Sequence, residues 1–494
     1  MLRVVSAAQM RECENYQIYQ QNTSASELMQ RAAEAAAEEL LDGSFDTTRI
    51  LVLCGNGNNG GDGLAMARIL RRGGYTCAVR MAEPDKALSV EAQRQYTAAQ
   101  TEGVCFDSSA PLSEYTVLVD ALFGIGLSRE LGGSYLRLTE EMNASGIPVF
   151  SLDIPSGVHA DDGRVMGSAV CASKTVTFAF LKPGLLLYPG AACAGKVVVK
   201  DIGISGEGLT SLAAFAYEKK DLTNLPARPA DANKGTFGKV LVVAGSKNMA
   251  GAAYLSAKAA YRVGAGLVKI YTAEENRVIL QTLLPEAVLV TSGASPVEEL
   301  AEQVRLADVI AVGPGLGQSE EAYQIVKCVL REARGAVVAD ADALNLAAVM
   351  KRNGERPFIR KNPLIITPHP GEMSRLTDKS ISEVTENLLA TATGFALENQ
   401  LICVLKNARS VITDGKRVCI NRSGNSGMAK GGSGDVLTGI IVGLLAQGME
   451  PFAAASLGAY IHGLAGDAAA LRYGSRSFLA GELADSVSDV ISEA

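Results

Sequence analysis

Short apolar runs recur along the chain, several of them continuously apolar, and several empty into glycines or a carboxylate. ILVLC (50–54) passes straight into GNGNNGGDG (55–63). CAVRM (77–81), TVLVDAL (116–122), PVFSLDI (148–154), TVTFAF (175–180) and KVVVKDI (196–202) follow. A strand apolar at successive positions, not alternate ones, is buried on both faces. That predicts a parallel sheet covered by helices, hence an α/β fold. Helical patterns fall between the runs, one amphipathic over 24–41 and another over 64–72. The alternation weakens over 203–234, where Gly203, Gly206, Gly208, Pro226 and Pro229 intervene. It restarts with KVLVVAGS (239–246), LVKIYT (267–272), DVIAVGPG (308–315), AVVADAD (336–342), PLIITPHPG (363–371) and LICVLKN (401–407). Two α/β domains are therefore expected, 1–218 and 222–494, although 494 residues alone would suggest about three.

The remaining totals narrow the partners. A net charge of -7 without a long basic run argues against nucleic acid. Nine cysteines, none in a C-x-x-C pair, read as reduced thiols and point to the cytoplasm. The N-terminus MLRVVSAAQM lacks the apolar core of a signal peptide, and no uncharged stretch is long enough to span a membrane. The three histidines, His159, His369 and His462, have no close ligand spacing, so no zinc site is expected.

GNGNNGGDG sits where a parallel α/β sheet binds ligands, between a strand and the helix expected to start near Leu64. Its glycines are expected to supply positive φ angles, close backbone approach and an anion-binding nest. Gly55-x-Gly57-x-x-Gly60 matches the dinucleotide fingerprint, with Glu83 or Asp85 near the place of its ribose acid. Asn58, Asn59 and Asp62 are more polar than that fingerprint requires. VDALFGIGLSRE (119–130) and LDIPSG (152–157) also end strands in carboxylates, so Asp120 and Asp153 are expected in the same cleft.

These three motifs resemble the NAD(P)H-hydrate epimerase domain over residues 1 to about 215. The resemblance implies a Rossmann-like three-layer domain acting on hydrated NADH or NADPH. It implies a substrate site formed by Asn58, Asn59, Gly60, Gly61 and Asp62 with the loop Gly124, Ile125, Gly126, Leu127, Ser128, Arg129 and Glu130. Asp153 would contact the hydrated ring as a catalytic carboxylate. A potassium ion is implied near Asn59, Asp120 and Ser156.

In the second half, NSGMAKGGSGDVLTGIIVGLL (425–445) joins a glycine-rich loop to an apolar helix pattern. Gly431, Gly432 and Gly434 can offer backbone N–H groups to phosphate. Asp435 would repel that phosphate, which makes sense if it is a base taking a proton from an attacking hydroxyl. KNARSVITDG (406–415) suits a nucleotide phosphate site, and TPHPGEM (367–373) carries His369 and Glu372. No P-loop motif occurs.

VGPGLG (312–317), DADALN (340–345), TPHPGE, KNARS and GGSGD together resemble the ADP-dependent NAD(P)H-hydrate dehydratases, over residues 225–494. The resemblance implies a ribokinase-like α/β domain. Gly317, His369 and Asp435 would bind the hydrated dinucleotide. Lys406, Asn407, Ala408, Arg409, Ser410 and Gly434 would bind AMP or ADP, and magnesium would accompany the nucleotide, with Glu372 arranging it through water. Asn407 departs from the family, which more often has glycine there. Joined, the halves look like the bifunctional NAD(P)H-hydrate repair enzymes, with NADHX, NADPHX and ADP as ligands and a homo-oligomer expected. A vitamin kinase, a non-catalytic nucleotide sensor and an oxidoreductase are the rival readings.

Overall fold

The computed structural model describes residues 1–291 and 296–492, so the end of the second expected domain at 494 lies outside the described residues. The chain forms two compact units, Leu2–Ala214 and Phe215–Ala494, the latter together with Met1.

The first unit is built on one seven-stranded sheet. Its strands are β1 (Ile50–Cys54), β2 (Cys77–Met81), β3 (Cys105–Phe106), β4 (Val117–Ala121), β5 (Val149–Leu152), β6 (Lys174–Phe178) and β7 (Lys196–Lys200). All pair in parallel, in the order β3-β2-β1-β4-β5-β6-β7. This is a Rossmann-like, doubly wound order. The continuous apolar runs have the cause inferred from sequence. Ile50, Val52, Val117 and Val119 enter one core, whereas Leu51, Leu53 and Leu118 enter another. Each strand thus feeds two covered faces.

The structure corrects the reading of GNGNNGGDG. The helix begins at Asn58, not near Leu64, and runs to Arg72 with Gly57 at its N-cap. None of the five glycines has a positive φ. Four of them, Gly55, Gly60, Gly61 and Gly63, are required by close approach, whereas Gly57 has open space around it. A Cβ on Gly55 would lie 2.0 Å from the Leu122 carbonyl oxygen, and one on Gly60 would lie 1.9 Å from that of Gly55. The helix therefore starts almost in contact with its own strand and with the loop after β4.

The second unit carries β8 (Lys239–Val243), β9 (Leu267–Thr272), β10 (Val288–Thr291), β11 (Val309–Val312), β12 (Ala336–Ala339), β13 (Leu364–Ile366), β14 (Ile402–Leu405), β15 (Val411–Thr413) and β16 (Val418–Ile420). Their order is β16-β15-β14-β13-β12-β11-β8-β9-β10. Pairing is parallel from β14 to β10 and antiparallel through β14, β15 and β16. The helix Ser433–Ala446 buries almost its whole circumference. It lies close against Ala250–Val263, where a Cβ on Gly439 would meet the Ser256 carbonyl oxygen at 2.2 Å. This packing fixes the helix start that carries Asp435. Among the described residues no helix is long and apolar enough to cross a membrane.

Candidate active sites

In the first unit, register brings Cys54 opposite Ala121 and Asp120 opposite Ser151. The loops after β1, β4 and β5 therefore leave from one edge, where the strand order reverses between β1 and β4. Such a switch point opens a ligand crevice. A cavity of about 490 Å³ lies here, lined by Asn58, Asn59, Asp62, Gly124, Ile125, Gly126 and Asp153. Gly60, Gly61, Leu127, Ser128, Arg129 and Glu130 are not in its lining. Gly60 and Gly61 instead pack against Gly55 and Met29, and Ser128, Arg129 and Glu130 are exposed.

Asp153 adopts a left-handed backbone, φ 63°. A non-glycine residue persists there only where its surroundings over-determine it, a pattern that clusters at functional sites. Asp153 Oδ1 accepts hydrogen bonds from Lys182 Nζ at 2.7 Å and Thr177 Oγ1 at 3.3 Å, and Oδ2 accepts one from the Ile125 N–H at 3.2 Å. Lys182 is fully buried and also donates to Thr177 Oγ1 and the Phe178 carbonyl. Carboxylate and ammonium thus form a buried ion pair whose remaining polar atoms are hydrogen-bonded, the condition under which such a pair is tolerated. Two further acids line the cavity. Burial, then the charges of Asp153 and Glu14, push the Asp62 carboxyl well above the usual range. Burial and Asp153 push Glu14 up to about 7.

Asp120 differs from its expected placement. It is fully buried and does not line the cavity. Its carboxylate accepts hydrogen bonds from Ser156 Oγ (2.6 Å), Ser156 N–H (2.8 Å), Ser151 Oγ (2.8 Å) and Leu122 N–H (3.3 Å). Ser156 Oγ in turn accepts from the Phe123 N–H at 2.8 Å. Burial raises the Asp120 carboxyl despite these bonds. Asn59 is the opposite case, since neither Oδ1 nor Nδ2 has a partner although both are buried. An unmet amide of that kind costs about 1–3 kcal/mol, which suits a group reserved for a ligand. A Cβ on Gly124 would lie 3.4 Å from Asn59 Oδ1, so Asn59 faces the loop that Ser156 anchors.

In the second unit the polar residues follow β12, β13 and β14, again at one edge of a parallel sheet. Asp340, 1% exposed, accepts Lys406 Nζ at 2.7 Å and Thr438 Oγ1 at 2.8 Å. The next residue, Ala341, is held at φ 52°. Burial pulls the Lys406 ammonium down, but Asp340 and Glu372 outweigh it and hold the group above its usual value. Asp435 lies in the first turn of its helix, whose N-cap is Gly432, φ 92°. It therefore does not cap the helix. Burial and the Asp340 charge push its carboxyl up to about 7 against the pull of Lys406. Gly434 leaves room beside this group, since a Cβ there would lie 3.4 Å from Lys406 Nζ.

His369 caps the helix Pro370–Thr377, and its N–H donates to Glu372 at 2.8 Å. Its ring is half exposed, and burial and the Lys406 charge lower its value from that of a free imidazole. Glu372 is 5% exposed and pushed up to about 7 by burial. The Gly317 N–H donates to Asp342 at 2.8 Å. Lys406, Asn407, Ala408, Arg409 and Ser410 form the turn between β14 and β15, with Arg409 bonded to the Arg422 carbonyl. His462, given no site role in the sequence reading, is part-buried and held neutral, its value lowered to about 4, and donates from Nε2 to the Ser433 carbonyl at 2.9 Å. It props the glycine loop from behind. Lys182, Thr177, Glu14, Asp340 as the partner of Lys406, and Thr438 also escaped sequence reasoning. Only Asp340 had a local signal, in DADALN.

Comparison with known proteins accords with this division. Residues 240–489 match the family described as NAD(P)H-hydrate dehydratase, and residues 25–184 match that described as YjeF-related protein N-terminus. The bifunctional NAD(P)H-hydrate repair enzyme of Moorella thermoacetica is 37% identical over 98% of this chain and 95% of its own. That of Escherichia coli is 36% identical over 94% and 89%. Among solved structures, the ADP/ATP-dependent NAD(P)H-hydrate dehydratase of Bacillus subtilis, co-crystallised with ATP and Mg2+, is 33% identical with a TM-score of 0.51, covering 56% of this chain and 97% of that one. A ribokinase-like superfamily protein from Enterococcus faecalis is 32% identical over 56% of this chain and 95% of its own, with a TM-score of 0.51. The chain belongs to the family of bifunctional NAD(P)H-hydrate repair enzymes.

Proposed function

We propose that the two sites perform consecutive repairs on hydrated NADH and NADPH. The first unit interconverts the R and S epimers of the hydrate, and the second dehydrates the S epimer at the expense of ADP, giving AMP and phosphate. The observation that carries this reading is Asp435, a carboxylate at a phosphate-friendly helix start that is not the helix cap. Its suppressed acidity makes it a base matched to neutral pH. Asp435 takes the proton of the ring hydroxyl, and the oxygen attacks the terminal phosphorus of ADP. AMP leaves. The phosphorylated oxygen is then a good leaving group, and the ring nitrogen lone pair expels it. Loss of a proton from the neighbouring carbon restores the double bond.

Lys406, Asn407, Ala408, Arg409, Ser410 and Gly434 cradle the nucleotide in this reading, with Gly317 and His369 at the hydrated dinucleotide. Lys406 is held charged by Asp340, which supports a role against phosphate. Among the described residues no three His, Cys, Asp or Glu side chains are gathered to hold a metal. Magnesium therefore suits this site as a companion of the nucleotide, with most of its ligands from phosphate and water. It would neutralise phosphate charge. In the first unit, potassium fits the unpaired Asn59 amide, with Asp120 and Ser156 as further oxygen donors. It would supply positive charge beside the dinucleotide. Asn58, Asp62 and the 124–130 loop hold the substrate, and Asp153 meets the hydrated ring. A cytoplasmic homo-oligomer completes the proposal.

The test is incubation with hydrated NADH, ADP and Mg2+, following the return of NADH absorbance together with AMP and phosphate. Release of one phosphate per NADH supports the reading. A stable phosphorylated product would identify a kinase instead.

A further inference from the structure

Glu14 lies on the helix Ala7–Tyr19, outside every motif read from the sequence and outside the matched residues 25–184. Met10, Cys13 and Gln17 form the buried stripe of that helix, and Glu14 falls within the same stripe. An apolar side chain is expected at such a position. Glu14 instead points a carboxyl group at the cavity that holds Asp153. Among the described residues it forms no hydrogen bond or ion pair; its charged neighbours are Asp153, Asp62, Lys182 and Arg11. A half-buried acid without a partner is costly, so its placement calls for a use.

We infer that Glu14 is the catalytic acid of epimerisation, working with Asp153 as base, a step that rests on the epimerase reading above. Hydration puts the hydroxyl on the ring carbon bonded to nitrogen. Asp153, the carboxylate paired with Lys182, takes the hydroxyl proton. The carbon–nitrogen bond breaks, its electron pair goes to nitrogen, and Glu14 gives nitrogen a proton. The opened form carries an aldehyde. Rotation about the adjacent carbon–carbon bond presents the other carbonyl face. Nitrogen adds to that face and returns its proton to Glu14, while Asp153 returns the other proton to oxygen. Atoms and electrons balance with no co-reactant.

The environments of the acids separate their roles. Glu14, pushed up to about 7, can both hold and release a proton near neutrality. Burial and the charges of Asp153 and Glu14 push the Asp62 carboxyl well above its usual range, and it lines the same cavity. Its helix is the one that presents Asn58 and Asn59.

The test uses the full chain and one purified epimer, following conversion to the other by chromatography without ADP. Glu14→Gln should slow conversion by about 10²-fold or more with KM little changed. ADP-dependent dehydration of the S epimer should be unaltered, which also shows that the variant is folded. In the wild type, conversion should fall as pH rises through about 7, because Glu14 must be protonated to act. Glu14→Gln should lack that limb, while Glu14→Asp and Asp62→Asn should keep it. Wild-type conversion by Glu14→Gln, or an unchanged limb in it, would overturn the inference. A wild-type protein that converts neither epimer would overturn the epimerase reading itself.

Discussion

Asp435 shows how much a single carboxylate can be asked to tolerate. Its acidity is suppressed from 3.8 to about 7, so the folded protein holds a proton there that the unfolded chain releases. Its contribution to stability is therefore lost as pH rises through that window. Asp435→Asn should raise the melting temperature at pH 8, with the difference vanishing toward pH 4. ADP binding by calorimetry should be kept or tightened, because a negative charge near the phosphates is gone. Turnover should fall about 10²- to 10⁴-fold, and wild-type turnover should rise with pH through about 7. Asn59 offers a second test. Its amide has no partner to lose, so Asn59→Ala should cost the fold little. It should nevertheless abolish the response of epimerisation to added potassium. An epimerisation rate in the wild type that ignores potassium would remove the ion from the account. Asp120 is a poorer probe, because four donors converge on it.

At the scale of elements, the start of Asn58–Arg72 is governed by backbone contact. Gly60→Ala would drive a Cβ into the Gly55 carbonyl, whereas Gly57→Ala meets nothing within 4 Å. Gly60→Ala should lower stability by about 1–3 kcal/mol or more and widen the gap between helix and strand. Gly57→Ala should cost about 1 kcal/mol or less, as an N-cap change. Denaturant melts of the two variants separate these outcomes, and equal losses would contradict the contact argument. The glycine spacing made a ligand-binding strand–helix junction legible but misplaced the helix start. Sequence shows that side chains are missing there, and a flexible loop and a crowded helix both require that. The long apolar runs were read as strands because two-sided burial leaves a continuous signal. β3, with two residues, β10, partly exposed, and β16, with three, carry no such signal. Site residues followed the same rule. Asp153 and Asp435 stand inside motifs. Lys182 and Glu14 reach the site from segments whose local pattern is that of ordinary α/β packing.

The chain forms two units, one on a parallel sheet and one on a largely parallel sheet with an antiparallel edge, each with acids at the carboxyl edge of its parallel strands. The units share the repair between them. Hydration yields two epimers, and a dehydratase specific for one needs the other converted. The decisive measurement is NADH recovered from a mixture of both epimers with excess ADP, Mg2+ and potassium, compared between the full-length wild type and Asp153→Asn. The wild type should recover NADH equal to the sum of both epimers. Asp153→Asn should recover the S share at the wild-type rate, then slow at least about 10²-fold toward the spontaneous rate of epimerisation. Recovery of both shares at the wild-type rate by Asp153→Asn would contradict the assignment of epimerisation to the first unit.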